Sequence, residues 1–360
     1  MTSTTENPAL RSWGFIADPK IMMPLASIAG SILVGLMLIA FTGAHLSEAL
    51  GAFFDGAFGS SYAISASVNR AVVFAAIGLG FIFANQANLT NVGGEGQIAV
   101  AGIAAAAVAL KTPVEFLPFG IAFLLPLLAG IAAGALWGGI CGFLKVRVGT
   151  NEVISSLLLS FIGVWLLYWS IQSVELLRQP MTNTATLPET LEIPDPTKLL
   201  SIGESGPLNI GLVIVMVLAV LVQLSLKRSV FGVRLRAIGL NELASRRAGI
   251  PYNRYVILAM AVSGAFAGLA GTIMLQGDQY VLKDGFTSGY GFDGLVVGLL
   301  ARGSAFGVVA GALFFGFLRS GGLNMEMVAH VPSAVIVVMQ GVLIVAIAAS
   351  GYAGSKAKAP

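Results

Sequence analysis

Long runs of apolar residues, separated by short polar stretches, fill most of this chain. A helix needs roughly 20 apolar residues to cross a bilayer, because the hydrocarbon core is about 30 Å thick and each residue rises about 1.5 Å. Six runs reach or approach that length, at 21–41, 116–144, 153–171, 210–226, 255–275 and 334–349. Four shorter runs lie at 71–84, 97–110, 290–301 and 305–318. The pattern predicts an all-α polytopic membrane protein with about ten transmembrane helices.

Composition agrees with this prediction and excludes several chemistries. The 360 residues are 56% hydrophobic and 10% charged, whereas soluble domains carry about 25% charged residues. The polar start, with Arg11 and Lys20, is followed by no small-residue cleavage site, so we expect no cleaved signal peptide. Two histidines and the single Cys141 predict neither a zinc site nor a disulfide. There is no phosphate-binding loop motif, so any ATP must bind to another chain.

Charged residues predict the orientation of the helices. Residues 227–254, which we call the basic loop, hold seven Lys or Arg residues and one acid. Residues 172–207, the proline-rich loop, hold five acids, two basic residues and five prolines. Positively charged loops stay in the cytoplasm. We therefore expect the basic loop inside, the proline-rich loop outside as a partly ordered flap, and two cytoplasmic tails, 1–20 and 351–360, flanking one transmembrane domain, 21–350.

Two pairs of similar segments predict an internal repeat. "GIAAGALWGG" (130–139) matches "GVVAGALFFG" (307–316) at six of ten positions, and "NRAVVFAA" (69–76) resembles "NRYVILAM" (253–260) in the same order. In the predicted orientation Arg70 lies outside and Arg254 inside, so the two halves run in opposite directions. That pattern is typical of transporters with inverted repeats.

A polar run interrupts the apolar sequence in each half of this repeat. The run "ANLTNVGGEGQIAVAG" (87–102) contains Asn91, Glu95 and Gln97, and "GYGFDGLVVG" (289–298) contains Asp293. Non-helical backbone within a membrane is tolerated only inside protein or beside a watery cavity. Short, glycine-interrupted helices at matching places also indicate a binding site. We therefore predict broken, re-entrant helices whose Asn91, Glu95, Gln97 and Asp293 line a substrate pathway.

A structural explanation competes with that prediction. Glu95 falls in the first turn of a predicted helix, where a carboxylate complements the helix dipole. Asn91 is placed to cap the same helix, and the glycines also suit close helix packing. Pathway lining and capping therefore both remain open for these residues.

The basic loop has the pattern of a short capped helix. Asn241 is a plausible N-cap, Glu242 suits the first turn, and Arg246 and Arg247 suit the last turn. Gly249 fits the position after the C-cap, with a proline soon after it. Such a helix on the inner side is suited to contact an ATPase, although arginines in cytoplasmic loops also serve as topology signals and lipid anchors.

Several of these motifs resemble one family. The segment "GVRLRAIGLNELASRRAGI" (232–250) resembles the coupling segment of ABC transporter permeases in the branched-chain amino acid, simple sugar and nucleoside group. "NVGGEGQ" (91–97) and "GTNEVISSLLLSFI" (149–162) resemble motifs of its nucleoside and simple-sugar branch, as does 288–316. The resemblance covers roughly residues 69–322. Ser160 departs from it, since related sequences often carry asparagine there.

The resemblance implies a fold, a function and partners. It implies an all-helical permease working as a pair, in the plasma (inner) membrane, in a binding-protein-dependent importer most similar to those for nucleosides. A simple sugar or another small polar solute is the alternative substrate. The implied partners are a cytoplasmic ATPase that binds the ATP, a second and different permease chain, and an extracytoplasmic substrate-binding protein. The residues implied to contact the ATPase are Arg234, Arg236, Asn241, Glu242, Arg246 and Arg247.

Two other function classes remain open from the residues alone. An ion-coupled secondary transporter would need ion sites in the bilayer, and Glu95 and Asp293 are the strongest candidates for them. An intramembrane enzyme would need a nucleophile such as Ser263 with His330 as its base, but nothing in the sequence orients the two. Neither class requires a cofactor on this chain, and none is expected.

Overall fold

A computed structural model of the chain describes residues 19–114, 117–118, 120–182, 187–203, 206–332, 334–342 and 345, with side chains from residue 29 onward. Nearly all of the two predicted tails, 1–20 and 351–360, therefore lies outside the described residues. The same holds for the end of the predicted helix 334–349.

Most of the described residues are helical, and the β-structure among them consists of isolated bridges. A π-helical turn, Leu275–Gln279, continues the helix Tyr252–Met274, and residues 334–342 are also helical. The helices are α1 Pro19–Phe41, α2 Leu46–Phe58, α3 Ser61–Asn85, α4 Gly94–Lys111, α5 Leu124–Val148, α6 Glu152–Gln172, α7 Gly211–Arg228, α8 Val230–Leu240, α9 Glu242–Arg247, α10 Tyr252–Met274, α11 Tyr290–Leu300 and α12 Ala305–Ala329.

Within the described residues, seven helices are long and apolar enough to cross a membrane. They are α3, α4, α5, α6, α7, α10 with its π-helical turn, and α12. Two shorter apolar stretches, Ala29–Phe41 and Tyr290–Leu300, accompany them. The chain is therefore an all-α, multi-pass membrane protein.

Several predicted helix boundaries were wrong. The short run 71–84 is part of the 25-residue α3. The helix extends through the polar Ser67 and Asn69, because both side chains are buried and hydrogen-bonded. The run 305–318 continues to the end of α12, and the run 116–144 becomes helical only at Leu124. Helix α2 was not predicted, because Glu48 and Asp55 interrupt its apolar residues.

The chain forms two compact units. The first comprises residues up to 60 and from 318 onward. Its apolar core contains Ile39 of α1, Ala49 of α2 and Met325 of α12 together with residues of the helix at 334–342. The Asn324 side chain donates a 2.7 Å hydrogen bond to the Ala52 carbonyl, which fixes α2 to the end of α12.

The second unit, Ser61–Phe317, is organised around a glycine seam between α5 and α10. The seam consists of Gly130, Gly134 and Gly138 of α5 and Gly264 and Gly268 of α10. A Cβ atom on Gly134 would overlap the Gly264 carbonyl oxygen and lie 2.7 Å from the Gly268 Cα. Small residues let membrane helices approach to backbone contact.

The two similar glycine motifs pack on the two similar helices of the opposite half. The motif at 130–139 lies in the glycine seam against α10, which contains 253–260. The motif at 307–316 lies against α3, which contains 69–76; a Cβ on Gly316 would be 2.5 Å from the Ser67 carbonyl oxygen. Each half thus supplies a packing partner to the other.

The proline-rich loop is tied to the segment that follows α10. Backbone N–H groups of Thr190, Ile193 and Leu199 donate to carbonyls of residues 276–282 at 2.9–3.0 Å. Lys198 donates 2.6 Å bonds to Glu192 and Asp195. Burial acts to lower the pKa of Lys198, but these two carboxylates outweigh it and hold its pKa above the ordinary value. The loop is therefore ordered over its described residues.

Candidate functional site

The helical path of the chain breaks between α3 and α4. Residues 86–93, which we call the broken segment, lie between Asn85 and Gly94 and are not helical. At one end, the backbone of Gln86 contacts Gly239 of α8. Towards the other end, Asn91 contacts Ser263, eleven residues into α10 and so roughly 16 Å along it. The broken segment therefore enters the interior of the helix bundle.

Serine hydroxyls from a neighbouring helix satisfy the backbone groups freed by the break. The Ser156 hydroxyl of α6 accepts a 3.1 Å hydrogen bond from the Val92 N–H. The Ser160 hydroxyl, one turn further along, accepts a 3.3 Å bond from the Gly96 N–H. Both serines are buried. Residue 160, where the resemblance led us to expect asparagine, thus supplies a hydroxyl to the start of α4.

Asn91 and Gln97 form a closed polar pair. The Asn91 amide donates to the Gln97 carbonyl oxygen at 3.1 Å and to the Ser263 hydroxyl at 2.9 Å. Its own carbonyl oxygen accepts from the Gln97 amide at 3.2 Å and from the Gly93 N–H at 2.9 Å. Both residues are buried. The prediction that Asn91 caps α4 was wrong, because the N-cap is Gly93 and no side chain at that position caps the helix. Asn91 instead shapes the turn before α4 by accepting the Gly93 N–H.

Glu95 contacts a helix other than its own. It lies in the first turn of α4 and is only 5% exposed. Its carboxylate accepts a 2.7 Å hydrogen bond from the N–H of Gly291, in the first turn of α11. The Thr287 hydroxyl and the Phe292 N–H also interact with this carboxylate. One side chain thus joins the starts of two helices that are 196 residues apart in sequence.

Helices α4 and α11 run away from this meeting point in opposite directions. The C-terminal end of α3 lies near the N-terminal end of α10, because Phe83 stacks on Phe231, which stacks on Tyr255. Ile98 of α4 lies against the C-terminal half of α10, and Gly298 of α11 lies against the C-terminal half of α3. The two helices therefore meet N-terminus to N-terminus.

Asp293 lies in the first turn of α11, close to the Glu95 contact, and is half-buried. The structure thus brings all four predicted pathway residues to the starts of α4 and α11. The three serines at positions 156, 160 and 263 were not predicted as part of this region. Positions 156 and 160 lie in the motif at 149–162 and position 263 in an apolar run, but a hydroxyl in such places is as often a packing residue, so the sequence does not show which backbone groups these serines contact. Among the described residues, no three His, Cys, Asp or Glu side chains gather as a metal ion would require.

The predicted caps of the basic loop are confirmed. The Asn241 side chain accepts a 2.9 Å hydrogen bond from the Ala244 N–H at the start of α9. Gly249 has φ +78°. The Gly249 N–H donates to the Arg246 carbonyl and the Ile250 N–H to the Ser245 carbonyl, at 3.1 and 3.0 Å. This pattern of bonds is a Schellman motif. The loop contains two short helices, α8 and α9, which meet at Asn241.

The arginines of the basic loop differ in their contacts. Arg246 pairs with Glu242 at 3.0 Å and lies over the Tyr252 ring, so it stabilises α9 itself. Arg234 is exposed and donates to the Tyr255 hydroxyl at 3.4 Å, and Arg236 and Arg247 are exposed too. Leu240 and Leu243 are 87% and 68% exposed beside them. The tip of the loop therefore presents apolar and positively charged side chains together.

A cavity of about 570 Å³ that is open to the surface lies between α4 and α6. Its walls are mostly apolar, with the Trp169 ring and the Ser170 side chain on one side and Lys111 and Glu175 among the lining residues. Ligand sites for small molecules commonly have this size and an apolar wall with a few polar groups. The cavity begins at Val100, five residues beyond Glu95 on the same helix.

The family described as branched-chain amino acid transport system / permease component matches residues 63–348. The chain belongs to this family. The permease is 32% identical over 331 residues to the guanosine ABC transporter permease protein NupP of Bacillus subtilis, covering 92% of this chain and 93% of that protein. It is 30% identical to a glucose ABC transporter permease protein of Haloferax volcanii, over 91% of this chain and 87% of that protein.

A third relative is the nucleoside ABC transporter permease protein NupB of Lactococcus lactis, 29% identical over 88% of this chain and 90% of that protein. No solved structure matches the permease at a significant level. The relatives are transport components, and the family is that of ABC permease subunits, which confirms the resemblance found in the motifs. The broken segment, the glycine seam and the basic loop all lie within the matched residues.

Proposed function

We propose that this chain is a membrane-spanning permease subunit of an ATP-driven, binding-protein-dependent importer for nucleosides. The observation that carries the proposal is the similarity, over about nine-tenths of the chain, to permeases named for guanosine and for nucleosides. A glucose permease is almost as similar, which makes a simple sugar the second candidate. The chain itself carries out no covalent chemistry and binds no cofactor in this proposal, because ATP is hydrolysed by a separate ATPase chain.

The proposed membrane arrangement has ten embedded segments, an inverted repeat and both termini in the cytoplasm of a cell bounded by the plasma (inner) membrane. The exchange of packing partners supports the repeat, because 130–139 packs on the helix of 253–260 and 307–316 packs on the helix of 69–76. The N-terminus to N-terminus meeting of α4 and α11 supports it too. Inverted repeats place the two broken helices at their interface.

The proposed partners use opposite sides of the membrane. The ATPase contacts the tip of the basic loop, where exposed leucines and arginines lie together. A substrate-binding protein delivers the nucleoside to the side of the proline-rich loop. A second, different permease chain completes the pathway. Of the loop residues, Arg236 and Arg247 face outward for the ATPase, whereas Asn241, Glu242, Arg234 and Arg246 hold the helices that present them.

The proposed pathway passes the starts of α4 and α11 and the cavity between α4 and α6. The cavity suits a neutral nucleoside, since the Trp169 ring offers a stacking surface and few polar groups are needed to orient the ligand. Asn91, Glu95 and Gln97 are buried and bonded to one another or to α11. They and Asp293 therefore reach substrate in this proposal only when the starts of the two helices separate.

Reversing the charge of Arg247 tests the ATPase contact. We expect Arg247→Glu to lower ATP-driven uptake at least tenfold while leaving membrane insertion unchanged, because a charge mismatch in a buried interface costs a few kcal/mol and about 1.4 kcal/mol already corresponds to tenfold. Uptake and ATP hydrolysis would be measured on the complete transporter in vesicles. The double variant with Arg246→Glu is less informative, since it also places a second acid beside Glu242.

A charge reversal at Arg147 is the matched control, because that exposed residue lies in the last turn of α5, outside the basic loop and outside the lining of the cavity. If the Arg247→Glu variant couples ATP hydrolysis to uptake as well as the wild type does, the proposed ATPase contact at the basic loop is wrong.

Substrate class is tested by uptake in cells. Deletion of the gene is expected to abolish uptake of labelled guanosine, and excess ribose or glucose should leave wild-type uptake unchanged. Competition by a sugar, or unchanged guanosine uptake after deletion, would favour the second candidate.

A separate experiment tests whether the chain is an ion-coupled secondary transporter. Uptake driven by an ion gradient alone, in vesicles that contain the permease chains without the ATPase, would identify a secondary transporter.

A further inference from the structure

Glu95 belongs to α4, yet the hydrogen bond of its carboxylate goes to α11. A carboxylate in the first turn of a helix ordinarily stabilises the N-terminus of its own helix. Here the 2.7 Å bond from the Gly291 N–H and the contact with the Phe292 N–H engage free N–H groups of the other helix. The side chain therefore serves two helix starts at once.

The charges at this point require such a group. Each helix N-terminus carries the equivalent of about half a positive charge, from its unsatisfied N–H groups. Because α4 and α11 meet N-terminus to N-terminus, two such charges face each other in a water-poor interior, where their repulsion is little screened. One carboxylate between them, when ionised, is attracted to both.

The packing brings the two helix starts close enough for this contact. A Cβ atom on Gly94 would lie 3.0 Å from the Gly291 Cα, and one on Gly291 would overlap the Glu95 N–H group. Only glycines at these positions let the backbones approach so closely. The Thr287 hydroxyl, just before α11, reaches the same carboxylate and limits its rotation.

We propose that Glu95 is a positioning residue that holds the first turns of α4 and α11 together and so keeps the pathway closed at this level. Transport then requires that the carboxylate release the Gly291 N–H and that the two helix starts separate. That separation of the helix starts controls transport rests on the proposed function, whereas the hydrogen bond between the Glu95 carboxylate and the Gly291 N–H does not. The test therefore reads the movement of α11 directly and reads transport separately.

A reporter cysteine measures whether the start of α11 has moved from its packed position. Ile77 of α3 is 5% exposed and lies against Gly294, one turn beyond the start of α11. The native Cys141 is buried and would first be changed to serine to give a cysteine-free background. The rate at which a water-soluble maleimide labels Ile77→Cys in the full-length protein then reports how often α11 moves away.

Two substitutions of Glu95 separate charge from hydrogen bonding. Glu95→Gln keeps the size and an acceptor oxygen but removes the negative charge, and Glu95→Asp keeps the charge on a shorter chain. We expect Glu95→Gln to speed labelling about tenfold or more, the effect of losing a charge-assisted hydrogen bond, and Glu95→Asp to restore part of the protection. Glu152→Gln is the matched control, because Glu152 lies in the first turn of α6 and pairs with Lys145 only 2.6 Å away. Its labelling rate should equal that of the wild type.

Labelling of Glu95→Gln at the wild-type rate would overturn the proposal. Equal acceleration by the Glu152→Gln control would also overturn it, because the effect would then be a general loosening. If the Glu95 variants do not accumulate, Thr287→Val removes one contact to the carboxylate without changing its charge, and slow labelling there would count against the proposal in the same way. Uptake of labelled guanosine by the wild type, measured in parallel, tests the proposed function independently. Either the role of Glu95 or the proposed function can therefore be contradicted without affecting the test of the other.

Discussion

Replacing Gly134 by alanine is expected to destabilise the folded permease by about 1–3 kcal/mol, the usual cost of overpacking an interior. The added Cβ would overlap the Gly264 carbonyl oxygen and approach the Gly268 Cα to 2.7 Å. These are backbone atoms of another helix, so no side-chain rotation relieves the clash, and α5 and α10 must move apart along the glycine seam. The measurement is the midpoint of thermal unfolding of the purified protein in detergent, together with the yield of monodisperse protein.

Gly139→Ala is the matched control for this prediction. Gly139 lies in the same helix, but a Cβ there would meet only the Ala261 Cβ at 3.6 Å, an ordinary contact. Both substitutions gain the roughly 0.5–1 kcal/mol by which alanine favours a helix over glycine. We therefore expect Gly139→Ala to be as stable as the wild type or slightly more so. Equal losses in the two variants would show that the seam carries no special packing energy.

Replacing Gly239 by alanine is expected to uncouple ATP hydrolysis from uptake. Gly239 lies near the end of α8 in the basic loop, and a Cβ there would overlap the Gln86 carbonyl oxygen and lie 3.0 Å from the Asn88 backbone nitrogen. The basic loop thus rests directly on the backbone of the broken segment, which leads to Asn91 and Glu95. An extra methyl group changes that contact, so we expect uptake to fall roughly tenfold while hydrolysis by the complete transporter continues.

Gly311→Ala is the control, because its Cβ would meet Val297 at 3.5 Å, away from the basic loop. Uptake and hydrolysis would be measured on the same vesicles for both variants. A parallel fall of both activities in Gly239→Ala would indicate a defect of assembly. Undiminished uptake would mean that the contact between α8 and the broken segment transmits no movement.

Helix positions were predictable from sequence wherever a span was uniformly apolar. The runs 153–171 and 210–226 differ from α6 and α7 by only one or two residues at each end. The prediction failed where polar groups are satisfied inside a helix. Asn69 of α3 accepts a 3.0 Å bond from Asn209, a partner 140 residues away, which no local pattern reveals.

The candidate site was predictable in position but not in its contacts. Glycines beside Glu95 and Asp293 indicated where the helices begin, since both features are local. That Glu95 bonds to Gly291, and that serines of α6 and α10 bond to the broken segment, depends on how distant helices pack. The caps of α9 were predictable because every group involved lies within ten residues.

The serine hydroxyls around the broken segment have a consequence for repeated turnover. A hydroxyl bonded to an N–H can exchange that partner for water at a net cost of about 1 kcal/mol, and it leaves no bare charge behind. The contacts at Ser156, Ser160 and Ser263 are all of this kind. These hydrogen bonds can therefore break when water enters and re-form when it leaves, each at a small free-energy cost. The largest free-energy cost of opening this region is then expected at the carboxylate of Glu95, because hydrogen bonds to a charged group are stronger.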